Sequence, residues 1–324
     1  MKQQNTPLIT DIFTADPSAH VYNDRIYIYP SHDIPHNGED NDNGDEYQMR
    51  DYHVLSMDDK SDKVIDHGEV LHEDQVPWVS KQLWAPDVVY KNDTYYLVFP
   101  ARDKDGIFRL GIAESKSPEG PFSPRANYIP DSFSIDPCSF IDDDSKVYIY
   151  FGGLWGGQLE KHKTGSFDPN GTEPDKNEPA VCPKVALMKD DMSVFEAKPQ
   201  DVVILDENGN PLLAGDEDRR YFEGPWMHKY NGKYYLSYST GTTHKIVYAT
   251  SDTPTGPFTY QGVILEPVIG WTTHHSIVEY HGKWYLFYHD SEYSGGINHR
   301  RCVKYCELNY NEDGSIQTIT PVYS

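Results

Sequence analysis

The sequence predicts an all-β fold, a five-bladed β-propeller. Three observations predict it. A phrase of a tight turn followed by an aromatic strand occurs five times: Asn23-Asp24-Arg25-Ile26-Tyr27, Asn92-Asp93-Thr94-Tyr95-Tyr96, Asp144-Ser145-Lys146-Val147-Tyr148, Asn231-Gly232-Lys233-Tyr234-Tyr235 and His281-Gly282-Lys283-Trp284-Tyr285. Repeats on this scale mean blades or solenoid units. A second phrase occurs twice, as Ser117-Pro118-Glu119-Gly120-Pro121-Phe122 and Thr253-Pro254-Thr255-Gly256-Pro257-Phe258. Short period-two strands such as Lys233-Tyr234-Tyr235-Leu236-Ser237-Tyr238 recur, without a long capped stretch of helical period.

Taken in order, the copies begin near residues 16, 85, 136, 223 and 274, so one catalytic-size domain over residues 1–324 is expected. The first unit opens at Ala15-Asp16-Pro17-Ser18, turns at Asn23-Asp24 and runs into an acidic stretch, residues 36–46. Glu39, Asn41, Asn43 and Gly44 there imitate a calcium loop, but Arg50 stands where a bidentate Glu is required. The stretch therefore reads as a solvated loop, with the rim of a site as its alternative. The second unit opens at Trp84-Ala85-Pro86-Asp87 and ends in the first Pro-Gly phrase, which reads as the outer hairpin of a blade. The third opens at Ser134-Ile135-Asp136-Pro137, and a loop from about Leu159 to Pro179 explains its length. The fourth opens at Phe222-Glu223-Gly224-Pro225 and carries the second Pro-Gly phrase; the fifth opens at His274-His275-Ser276. A four-stranded blade needs roughly 40–50 residues, so the excess in the first and third intervals belongs to these loops.

The chain has 324 residues and a net charge of −23. Phosphate binding needs clustered Lys and Arg, so nucleic acid is excluded as a partner, and an anionic membrane with it. Met1 to Thr10 is polar with no apolar core after it, which predicts a cytoplasmic chain, and no stretch approaches the roughly 20 apolar residues of a membrane span. Cys138, Cys182, Cys302 and Cys306 are too few for a disulfide framework and lack metal spacing. No glycine-rich phosphate loop stands in the sequence, so no organic cofactor is expected.

The chemistry lies in three acids. Asp16, Asp136 and Glu223 stand 11 or 12 residues ahead of Tyr27, Tyr148 and Tyr235, at one blade position. A radial repeat brings equivalent positions to one central channel. Each acid lies one or two residues before a proline, which ends strand pairing and lets the side chain leave the sheet. Two carboxylates about a glycosidic bond, one protonated and one ionised, are the usual apparatus for its hydrolysis.

The set Ala15-Asp16-Pro17-Ser18, Trp84-Ala85-Pro86-Asp87, Ser134-Ile135-Asp136-Pro137, Phe222-Glu223-Gly224-Pro225 and His274-His275-Ser276, in this order, resembles glycoside hydrolase family 43, the five-bladed propellers that include β-xylosidases and α-L-arabinofuranosidases. The resemblance spans essentially the whole chain. It implies inversion at the anomeric carbon, with base and acid about 6.5–9.5 Å apart. It implies Asp16 as general base, Glu223 as general acid, and Asp136 as the carboxylate that orients Glu223 and raises its pKa. It implies substrate contacts from Trp84, Phe222 and Arg301, and a divalent cation, Ca2+ above all, facing His274 at the channel centre. Many members carry a C-terminal β-sandwich; this chain is expected to lack it and to complete its pocket with its own loops or a neighbouring subunit as a homo-oligomer.

The leading function is an exo-acting β-xylosidase on short xylo-oligosaccharides, with α-L-arabinofuranosidase side activity. An arabinofuranosidase or arabinanase is the runner-up. A carbohydrate-binding propeller without catalysis is the rival from another class; the presence of all three acids argues against it.

Overall fold

A computed structural model describes residues 6–61, 63–271 and 274–323. Five sheets follow one another along the chain, antiparallel except for one short parallel edge pair in the fourth. Blade 1 holds β1 (Phe13–Tyr22), β2 (Arg25–Asp33), β3 (Asp51–Met57) and β4 (Ile65–His72). Blade 2 holds a short edge strand β5 (Val79–Lys81), then β6 (Asp87–Lys91), β7 (Thr94–Asp103), β8 (Phe108–Ser115) and β9 (Ser123–Pro124). Blade 3 holds β10 (Cys138–Ile141), β11 (Val147–Phe151), β12 (Lys184–Leu187) and β13 (Gln200–Asp201). Blade 4 holds β14 (Ile204–Leu205), β15 (Glu223–Tyr230), β16 (Lys233–Ser239), β17 (Ile246–Ser251) and β18 (Phe258–Leu265); blade 5 holds β19 (His275–Tyr280), β20 (Lys283–Asp290) and β21 (Cys302–Leu308). The fold is the five-bladed β-propeller that the repeats predict.

The repeated turn has a conformational reason. Asn23 and Asp24, Asn92 and Asp93, Asn231 and Gly232, and His281 and Gly282 all have positive φ, and each pair joins the first two strands of its blade. A two-residue turn of this hand matches strand twist and favours Asn, Asp and Gly. The third blade uses a longer turn, closed by Ser145 N donating to Asp142 O at 2.8 Å. The Pro-Gly phrases lie between the third and fourth strands of blades 2 and 4, and Phe122 and Phe258 return to the core. Each phrase also ties its blade to the one before. Tyr29 Oη donates to Pro118 O at 2.8 Å, and Tyr150 Oη to Pro254 O at 2.5 Å.

The cores lie between blades. Tyr52, Val54, Leu97 and Phe99 pack blade 1 on blade 2; Val98, Ile112, Ile149 and Phe151 pack blade 2 on blade 3. Ile26, Ile28, Phe287 and Tyr305 pack blade 5 back on blade 1. The N-terminal segment seals this last seam: Leu8 N donates to Val303 O at 2.8 Å and Thr14 N to Arg301 O at 2.9 Å, along the free edge of β21. The innermost strands face the channel. There, fully buried Asp87 accepts from Ser139 N at 2.5 Å and meets His20 Nε2 at 2.6 Å, linking three blades.

Candidate active site

Two of the acids sit where a strand breaks register and the third just before a strand begins. Asp16 lies in a bulge of β1 between Ala15 and Ser18 and has φ 50°. Asp136 precedes β10 with φ 57°. Glu223 opens β15, where a bulge spans Glu223 to Trp226 and Gly224 takes φ 63°. Positive φ at a non-glycine residue is costly and collects at functional sites. The prolines that follow fill the positions where the ladder needs no donor. At Gly224 a Cβ would stand 3.3 Å from the His274 ring, so the backbone there has to approach closely.

All three acids line one cavity of about 240 Å³ at one end of the channel. That is below the 300–1,000 Å³ usual for drug-sized ligands, the scale of a short sugar rather than a polymer cleft. Trp84, Phe222, His274 and Arg301 line it as well. Asp16 and Asp136 are buried, and Glu223 is partly open to the cavity.

Asp16 is held as an anion. Burial opposes this, but Arg301, His289 and His274 outweigh it and bring its pKa down to about 2. Arg301 Nη1 donates to Asp16 Oδ1 at 3.1 Å, Ser31 Oγ donates to Oδ2 at 2.5 Å, and the Asp16 amide donates to His289 Nδ1 at 2.9 Å. Arg301 is fixed from behind by Asp33: Nε and Nη2 donate to its two oxygens at 2.9 and 2.8 Å. The guanidinium also lies 4.7 Å from the centre of the Tyr47 ring.

The other two acids are pushed the opposite way. Burial, then the charge of Asp16, raises Glu223 to about 8, with Arg301 opposing. Burial, then the charges of Glu223 and Asp16, raises Asp136. Asp136 Oδ2 accepts from Gly224 N at 3.0 Å, so it fixes the backbone just after Glu223. The site thus pairs an ionised carboxylate with a carboxyl that keeps its proton at neutral pH, the combination acid–base hydrolysis requires.

The remaining residues divide by role. Trp84 is both wall and core: its Nε1 donates to Tyr47 O at 3.0 Å, its ring packs 4.7 Å from Phe108, and it is 8% exposed. Phe222 is buried against Trp155, with ring centres 5.2 Å apart. Burial lowers the pKa of His274, and its Nδ1 lies 3.7 Å from Asp16 Oδ1 and 3.8 Å from Asp136 Oδ2. These gaps are too long for direct hydrogen bonds and suit a bridging water or a hydrated cation.

The acidic stretch is solvent-exposed over residues 37–43 and also forms a rim of the cavity. Asp40, Asn41, Asp42, Gly44 and Glu46 line the cavity. Arg102 Nη2 donates to Asn43 O at 3.0 Å, Gln82 Nε2 to Gly44 O at 2.8 Å, and Asn298 Nδ2 to Asp40 Oδ2 at 2.8 Å, fastening the stretch to blades 2 and 5. Trp155 and Trp271, which sequence reasoning missed, stack at 5.8 Å and 17° on the cavity wall. Asp33, Tyr47 and His289 were missed too. Asp33 is one strand period beyond Ser31, a signal visible only once Asp16 is known to need support.

The family model for glycosyl hydrolases family 43 matches residues 6–316. The chain belongs to this family. It is 57% identical to xylosidase/arabinosidase 43A of Humicola insolens over 97% of this chain and 99% of that protein. It is 53% identical to a xylosidase/arabinosidase of Bacteroides ovatus, covering 98% of each. A family 43 β-xylosidase/α-arabinofuranosidase from a compost microbial metagenome, solved with xylotriose in a calcium-free form, superposes with TM-score 0.97 at 57% identity, over 100% of this chain and 99% of that one. A family 43 enzyme of Xanthomonas citri, also solved with xylotriose, gives TM-score 0.93 at 50% identity, over 98% and 93%. Family 43 enzymes are inverting glycoside hydrolases.

Proposed function

We propose that this family 43 hydrolase is an exo-acting β-xylosidase that releases xylose from short xylo-oligosaccharides, with α-L-arabinofuranosidase side activity. One observation carries the reading: ionised Asp16 and protonated Glu223 share a small cavity. Relatives with xylosidase and arabinosidase names, and neighbours solved with xylotriose, support the choice of sugar.

In the proposed mechanism Asp16 takes a proton from a water, whose oxygen attacks the anomeric carbon. The carbon–oxygen bond to the leaving sugar breaks on the opposite side, and Glu223 gives its proton to that oxygen. Arg301 orients Asp16 and donates to a substrate hydroxyl within reach of its guanidinium. Asp136 holds the Glu223 backbone through Gly224, while burial and the charge of Asp16 raise the Glu223 carboxyl. Trp84, Phe222, Trp155 and Trp271 offer apolar faces that exclude water around a sugar ring. His274 is where a hydrated divalent cation fits, by one nitrogen and by waters shared with Asp16 and Asp136. Ca2+ prefers oxygen ligands, in keeping with a water-filled shell, and when bound it would supply positive charge that steadies both acids.

The test is proton NMR of a fresh hydrolysate of an aryl β-xyloside, in which all the xylose comes from the cleaved bond, beside a check that xylobiose is cleaved. The α-anomer of xylose should appear first and the β-anomer only by mutarotation. Initial release of β-xylose, or binding of xylobiose without cleavage, would overturn the proposal. Rates on aryl xyloside against aryl arabinofuranoside rank the two sugar specificities.

A further inference from the structure

We propose that His32, Asp51 and His53, on the flank of blade 1, form a second metal site, for a divalent transition cation of the zinc class. It is separate from His274, and it stands on geometry alone. His32 Nδ1 lies 2.8 Å from Asp51 Oδ1, and His53 Nε2 lies 3.4 Å from Asp51 Oδ2. One ligand atom from each of the three falls within 4.8 Å of the others, the single such group among the described residues. Tetrahedral zinc, with bonds near 2.0–2.2 Å, places neighbouring ligand atoms about 3.3 Å apart. The three side chains therefore need movements of about an ångström to close on an ion.

The strands explain the cluster. Asp51 and His53 alternate onto one face of β3, and Ser31 pairs with Tyr52, a register that sets His32 opposite Asp51 and diagonal to His53. The rings of His32 and His53 stand edge to face, 5.1 Å apart, so their nitrogens converge without stacking. Asp51 is buried, while both imidazoles keep an edge open to solvent, an entry path for an ion.

The outer partners are in place as well. Asp66 Oδ1 lies 3.0 Å from His53 Nδ1 and also accepts from Gly68 N at 2.8 Å. A metal-bound histidine usually donates its other N–H to a carboxylate, which fixes the tautomer with a lone pair toward the ion. Two imidazoles and one carboxylate suit zinc, cobalt or nickel and leave a position for water. Alternation along β2 turns Ser31 and Asp33, the supports of Asp16 and Arg301, to the other side of the strand from His32. An ion at the cluster would pin β2 and β3 to each other behind those supports.

The experiment measures zinc itself. Wild type and His274→Ala are dialysed against Zn2+, then bound metal is counted by mass spectrometry and Tm is recorded. One equivalent should remain in the His274→Ala protein, with a Tm that rises with zinc concentration. His53→Gln and His32→Gln should each lose that equivalent and the Tm rise while keeping xyloside turnover without added metal. Two substitutions guard against one that fails to fold. Absence of zinc and of the Tm rise in His274→Ala, or equal zinc in the glutamine variants, overturns the site.

Discussion

Replacing Glu223 by glutamine should make the protein more stable as it makes it inactive, by an amount that depends on pH. Burial and the charge of Asp16 lift the Glu223 carboxyl from its ordinary 4.5 to about 8. Between those values the folded chain holds a proton that the unfolded chain releases. Stability therefore falls as pH rises through this window, and the loss is complete above the folded value. At 1.36 kcal/mol per pKa unit, the cost of Glu223 is about 3 kcal/mol at pH 7 and under about 1 kcal/mol at pH 5. Both are upper bounds, because Glu223 is partly open to the cavity. Glutamine keeps the shape and has no proton to release. At roughly 2 °C per kcal/mol for a chain of this length, Glu223→Gln should raise Tm by about 6 °C at pH 7 and by about 1–2 °C at pH 5. Calorimetry at the two pH values, wild type beside variant, is the assay. An equal gain at both, or a lower Tm at pH 7, would refute the electrostatic account of this site.

Three further outcomes are expected. Asp16→Ala and Glu223→Ala should each cost several orders of magnitude in kcat on xylobiose; steady-state rates on an activated aryl xyloside should recover much of the loss for Glu223→Ala and none for Asp16→Ala. Arg301→Met, paired with Asp33→Asn so that no buried charge is stranded, should move the acid limb of kcat/KM upward from near 2, because the largest group opposing burial at Asp16 is gone; a pH–rate profile with an unmoved limb would count against the assignment. Trp155→Ala should raise KM for xylotriose roughly tenfold, about 1.4 kcal/mol, and leave kcat near wild type; initial rates across xylotriose concentrations separate the two.

What the sequence disclosed followed from local rules. Asn23-Asp24 and its counterparts were readable because a two-residue hairpin turn demands positive φ, and few residue types supply it. Asp16, Asp136 and Glu223 were readable because their register repeats with the blades. The Arg301–Asp33 fork was half hidden: the two residues are 268 apart and no repeat relates them. Trp155 and Trp271 lie outside the strands, in segments whose path only tertiary contacts define. The acidic stretch was half legible: its charge read as solvation, and residues 37–43 are exposed, but only the tertiary ties of Arg102 and Asn298 show that it borders the cavity.

The bond between Arg301 and Asp16 spans 285 positions and crosses the seam between the last blade and the first. A ribosome must therefore finish nearly the whole chain before this ion pair can exist, and every earlier blade waits on closure of the ring. Turnover becomes a reporter of completed folding: a nascent or truncated chain can hold four sheets and still cleave nothing. Circular permutation offers the converse use. Moving the termini to a surface turn of another blade would make that seam continuous, shorten the loop its formation must close, and bring activity earlier in refolding than the native order of blades permits.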